Sequence, residues 1–174
     1  MILKLTLDLP ELPIYVRTVR LLSRCLLEDI KVTRSTINDV EDIVGELCTN
    51  VVRHAMSKAT HYQLYIEYYQ PMVVITVKDA GDGFIMADVL PAGSSRSDGE
   101  GGERFGGFGL SMVSGLSDKL DFIPTHPHGT TVRVEKTLQY ESRDAAAQAK
   151  LLDIAGANAA AESMRDRIKL LSRS

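Results

Sequence analysis

The chain has 174 residues, 44% of them hydrophobic, which is the length and apolar content of one domain built round a single core. A formal net charge of −3, with no basic stripe interleaved with aromatics, excludes a direct nucleic-acid surface. No apolar run approaches the roughly 18 residues of a membrane span, and two cysteines, Cys25 and Cys48, are too few for a disulfide framework, so both are expected as buried, reduced thiols of a cytoplasmic protein.

The first element, Ile2 to Leu9, alternates apolar and polar residues as a strand does, and is too short for a signal segment with its cleavage site. Two helices follow, Ile14 to Ile30 with Arg17 and Arg20, and Thr36 to Ser57. On the second, Val44, Leu47, Cys48, Val51 and Ala55 share one side. Glu46 and Asn50 are one turn apart, about 40° from each other at the flank of that side, and His54 continues the row. Such a pair aims oxygens into one small volume, which suits a hydrated Mg²⁺ and lets Glu46 polarise a nearby nucleophile. A plain polar helix edge fits the same residues, and His54 fits a structural role.

Strands are predicted over Tyr62 to Tyr69 and Met72 to Lys78, the second ending in Asp79-x-Gly81-x-Gly83. The glycines permit positive φ and close ligand approach, and Asp79 can accept a hydrogen bond from an exocyclic amine. An ordinary strand-to-loop turn has the same composition. Met86 to Arg104, rich in glycine and serine, is expected as a lid with no fixed core packing. It runs into Gly106-Gly107-Phe108-Gly109-Leu110, a glycine loop opening a helix that continues to Leu116. The unpaired first amides of such a helix attract phosphate oxygens. Arg104 and Arg96 are cations within reach of a terminal phosphate, although solvated loop arginines have the same appearance. Strands Lys119 to Pro124 and Thr130 to Leu138 complete the pattern, and an alanine-rich tail from Glu141 to Ser174 is expected to form one or two helices interrupted at Gly156 to Asn158.

These elements predict an α+β fold, a two-layer sandwich whose mixed, mainly antiparallel sheet is covered on one face by helices. The chain divides into one α+β domain over 1–140, which carries the motifs above, and a helical extension over 141–174. The acidic–amide pair, the Asp-x-Gly-x-Gly turn and the glycine loop are each weak alone, but in this order and at domain-scale spacing they point to a nucleotide site.

With these segments the chain resembles the GHKL ATPases, which have the Bergerat fold. The strings Gly45 to Ala55 and His128 to Arg133 are most similar to the anti-sigma-factor serine kinases of the RsbW type, over about Leu3 to Leu138. The resemblance implies ATP and Mg²⁺ as cofactors, with Asn50 holding the metal, Glu46 as general base and Asp79 on the adenine amine. It further implies that Gly81 and Gly83 shape the base pocket, that Gly107, Gly109 and Leu110 border the phosphates, and that Thr130 lies near the adenine. Arg53, Arg104, Gly106 and Phe108 complete the expected nucleotide-binding set. The implied activity is transfer of the γ-phosphoryl group to a serine of a STAS-domain anti-anti-sigma protein, with a sigma factor and a second copy of the chain as further partners. Arg17, Arg20 and the first strand are the expected partner surface. A non-catalytic module that senses ATP or ADP is the alternative. A histidine-kinase catalytic domain fares worse, because no histidine precedes His54 to serve as phosphoacceptor.

Overall fold

The computed structural model describes residues 3–54, 61–79, 107–124 and 129–156. Strand β1 (Leu3–Pro10) leads into helices α1 (Pro13–Asp29) and α2 (Arg34–His54), then β2 (His61–Tyr69) and β3 (Met72–Asp79). Helix α3 (Gly107–Leu116), β4 (Lys119–Pro124) and β5 (Thr130–Thr137) follow, with a last helix, α4, over 143–156. The five strands form one sheet in the order β1-β2-β3-β5-β4. All four pairings among the described residues are antiparallel, in keeping with the expected mainly antiparallel sheet.

One face of this sheet is apolar because inward positions alternate along each strand. Tyr62, Leu64, Ile66 and Tyr68 on β2 and Val73, Ile75 and Val77 on β3 are buried with Val132 and Val134 of β5. Val40, Ile43, Val44, Leu47, Cys48 and Val51 of α2 close over them, joined by Val19 and Leu27 of α1 and Leu110 and Val113 of α3. The outer face of the β1–β2 pair is polar: Lys4 pairs with Glu67 at 2.9 Å, and its ammonium group stands 5.7 Å from the Tyr65 ring centre. No described helix is long and apolar enough to cross a membrane.

Helix α1 ends in a Schellman turn although no glycine is available there. Lys31 takes φ 60°, its N–H donates to the Glu28 carbonyl at 3.0 Å, and the Val32 N–H donates to Leu27 at 3.0 Å. Leu27 and Val32, the apolar pair that accompanies this cap, are both buried. The turn is then tied to the chain after β5, with Thr33 N–H on the Gln139 carbonyl at 2.7 Å and Glu141 N–H on Lys31 at 3.0 Å. Helix α2 starts two residues before the predicted Thr36, since Thr33 already accepts from the Ile37 N–H at 3.0 Å. The helices α1 and α2 are joined by a charged pair in which Glu41, 4% exposed, accepts from Arg24 Nε at 2.9 Å.

One sequence expectation changes. Cys48 is buried, but Cys25 is exposed. On α1 the buried line runs through Val19, Ser23 and Leu27, and Cys25 falls outside it. In the tail, α4 buries Ala149, while Leu151, Leu152 and Ile154 stay exposed; of the break expected at Gly156 to Asn158, Gly156 is still helical and the rest lies outside the described residues.

Candidate functional site

The chemistry gathers where α2 faces α3 and the ends of β3 and β5. Glu46 and Asn50 lie on the flank of α2 that turns toward α3, because the apolar positions one and three residues away hold the helix on the sheet. Glu46 is half-buried against Gly109, and a β-carbon at Gly109 would overlap the Glu46 carboxylate and fall 2.8 Å from its Cγ. Only glycine lets the opening turn of α3 approach this side chain. Because α3 begins at Gly107, its first backbone amides, which lack intrahelical partners, open beside Glu46. Leu110, 4% exposed, anchors the helix in the core one residue further on.

Asn50 is 4% exposed, and its Nδ2 has no hydrogen-bond partner among the described residues. Carboxamide oxygen and nitrogen exchange places by a half-turn of the side chain, so the unengaged end can equally present its carbonyl. A buried amide is costly to leave unpaired, by about 1–3 kcal/mol. Its position one turn from Glu46 therefore suits a ligand that pairs with it, and a hydrated divalent cation is of the right chemistry.

The two residues expected at the base come together across the sheet. Asp79 is the last residue of β3 and pairs directly with Thr130, the first of β5. Gly129, at φ 112°, turns the chain into β5 and so places Thr130 in that register. Thr130 is buried and Asp79 half-buried, both on the helix-facing side with Val77 and Val132. The pair was legible only as two unrelated motifs more than 50 residues apart, and the β3–β5 ladder unites them.

Other predicted residues fall elsewhere. Arg53 is exposed and lines a groove of about 580 Å³ between α1 and α2, together with Arg17, Arg20, Val16, Leu21 and Val52. Arg20 there also pairs with Asp42 at 3.1 Å. Gly107 and Phe108 lie in the first turn of α3. His54 is the last residue of α2. Gly81, Gly83, Arg96, Arg104, Gly106 and the lid lie outside the described residues. Two residues with no motif signal, Glu11 and Tyr62, stand beside Asp79; the alternation of β1 and β2 onto the helix-facing side is the only sequence feature that points to them.

Comparison with known proteins agrees with this arrangement. Residues 9–136 match the histidine kinase-like ATPase domain. The chain is 29% identical over 133 residues to the serine-protein kinase RsbW of Halalkalibacterium halodurans, covering 75% of this chain and 80% of that protein. It is 30% identical over 121 residues to RsbW of Listeria monocytogenes, covering 67% of this chain and 77% of that one. The crystal structure of the RsbU and RsbW domains of Rv1364c from Mycobacterium tuberculosis superposes with a TM-score of 0.57 at 19% identity, over 80% of this chain and 35% of that longer one, and shows a shared fold. With the family match spanning β1 to β5 and the acidic–amide pair, the glycine helix and the Asp79–Thr130 pair all inside it, the chain belongs to the histidine kinase-like ATPase domain family.

Proposed function

We propose that this protein is an ATP-dependent serine kinase and anti-sigma factor, which phosphorylates a STAS-domain anti-anti-sigma protein in a partner-switching system. The observation that carries this reading is the buried Asn50 side chain, its Nδ2 without a partner among the described residues, one turn from Glu46, which is itself held against the opening turn of α3. The names of the RsbW relatives supply the class of reaction.

In this reading Asn50 holds Mg²⁺ through its side-chain carbonyl, and the metal neutralises phosphate charge during transfer. The first amides of α3 bind phosphate oxygens where the helix dipole favours negative charge. Asp79 accepts a hydrogen bond from the exocyclic amine of adenine, with Thr130 beside it. Glu46 takes the proton of the acceptor serine, for which a half-exposed carboxylate at the mouth of the site is suited. Phosphorylation of the antagonist places a doubly charged group in its contact surface and weakens its binding, so the sigma factor stays with the kinase.

The groove between α1 and α2 suits the protein partners. Its apolar floor of Val16, Leu21 and Val52 and its rim of Arg17, Arg20 and Arg53 favour a partner that presents an apolar anchor with acidic neighbours. The open edge of β1, paired only with β2, is a surface on which a second copy can assemble.

Transfer of labelled γ-phosphate from Mg-ATP to candidate STAS-domain proteins tests the reading. Phosphoserine should form, and Glu46→Gln should slow its formation by roughly 100-fold or more while leaving nucleotide affinity within about threefold. Tight Mg-ATP binding without transfer to any of them would instead identify a nucleotide-sensing module.

A further inference from the structure

Asp79 has polar neighbours that belong to none of the nucleotide motifs. In the sheet register Leu9 pairs with Tyr62 and Asp79 with Thr130, and the pairing of Gln63 with Lys78 brings Tyr62 opposite Asp79. Leu9, Tyr62, Asp79 and Thr130 therefore cross the sheet in one row on the helix-facing side. Glu11 lies in the bend just past the end of β1, where the Leu12 N–H donates to the Pro10 carbonyl at 2.7 Å, and comes within electrostatic reach of Asp79 at this end of the row.

The Glu11 Oε1 atom is shielded from solvent and has no hydrogen-bond partner among the described residues. Beside it, Tyr62 is 1% exposed and its hydroxyl is also without a regular hydrogen bond. That hydroxyl feels the Cys48 thiol, a weak donor and acceptor, and the charge of Glu11. Glu11 in turn lies within electrostatic reach of Asp79 and His61. Burial, with repulsion from Asp79 added, raises the proton affinity of Glu11, and His61 opposes that rise. A shielded carboxylate oxygen without a partner among the described residues, set beside a buried hydroxyl that meets a weakly bonding thiol, calls for a reason beyond packing.

We propose that Glu11, with the Tyr62 hydroxyl beside it, is a specificity-determining residue of the nucleobase pocket, a second carboxylate that favours an amine over a carbonyl at the base edge read by Asp79. The inference rests on the reading of Asp79 as the base contact. Adenine carries an amine where guanine carries a carbonyl oxygen. Negative potential from two carboxylates attracts the amine hydrogens and repels the oxygen, and because it acts across space Glu11 need not touch the base. Burial keeps the Tyr62 hydroxyl protonated, so it contributes a dipole and no charge.

Calorimetric titration of the full chain with Mg-ATP and Mg-GTP tests this directly. Glu11→Gln should keep ATP affinity within about threefold while the preference for ATP over GTP falls roughly three- to tenfold. Glu11→Asp, which keeps the charge on a shorter stem, should retain most of the preference, and Tyr62→Phe should lose less of it than Glu11→Gln. An unchanged preference in Glu11→Gln with ATP still bound, or an equal loss in Glu11→Asp, overturns the inference and leaves the nucleotide site standing. Wild-type protein that binds neither nucleotide overturns the inference together with the site reading beneath it.

Discussion

At Gly109 the lack of a side chain is a condition for the position of Glu46. Alanine normally stabilises a helix over glycine by up to about 1 kcal/mol, but here the added methyl falls on the Glu46 carboxylate. Because a glutamate can swing away, Gly109→Ala should leave unfolding free energy within about 1 kcal/mol of wild type and lower phosphoryl transfer by roughly tenfold or more. A denaturant melt alongside a transfer assay separates the two effects; unchanged transfer would remove Glu46 from its proposed role. Glu46 and Asn50 were legible in the sequence because helical periodicity alone puts residues four apart on one flank. Glu11 was not legible, since its neighbours Tyr62 and Asp79 are remote in sequence and only strand register brings them near.

Among the elements, the boundaries of strands were read to within one residue, because β-branched runs bounded by turn residues leave little freedom. Helix ends depended on capping. The Schellman turn after α1 holds Lys31 in the left-handed region, where a side chain is disfavoured. Lys31→Gly should therefore stabilise the domain by up to about 1 kcal/mol, read as a rise in the urea midpoint at unchanged slope. A fall in the midpoint would show that the lysine side chain contributes more than the strain costs. The exposure of Cys25 belongs to this scale too. Leu26 and Leu27 follow it directly, but α1 packs through the line of Val19, Ser23 and Leu27, and the rotation of a helix about its axis is set by what it packs on.

Across the whole molecule, α3 and the last two strands are tied to α2 by polar contacts. Lys136 donates to the Leu116 carbonyl at 2.6 Å, at the end of α3, and pairs with Asp39 of α2 at 2.9 Å. Asp118, in the turn between α3 and β4, accepts from the Thr137 backbone N–H, and hydrogen bonding from the Thr137 side chain, with that backbone bond and the Lys136 charge added, holds its carboxyl below the ordinary aspartate range. A depressed carboxyl contributes stability above its unfolded-state pKa, and that contribution is lost as pH falls through the lower folded value. Unfolding measured from neutral pH downward should therefore weaken below about pH 4 in wild type, and Asp118→Asn should be less stable at neutral pH with a shallower acid limb. Parallel acid limbs in the two proteins would assign the acid sensitivity to other carboxylates.

The α+β class, the element order and the candidate nucleotide residues followed from local pattern, since alternation, helical spacing and glycine turns act over a few residues. The antiparallel strand order, the Asp79–Thr130 pair, the approach of Gly109 to Glu46 and the groove between α1 and α2 were decided by tertiary structure. The physical reason is one of range. Backbone propensity is settled between neighbours, whereas sheet register and helix rotation are settled by burial of the whole core, and it is these that bring the side chains of a site within reach of one another.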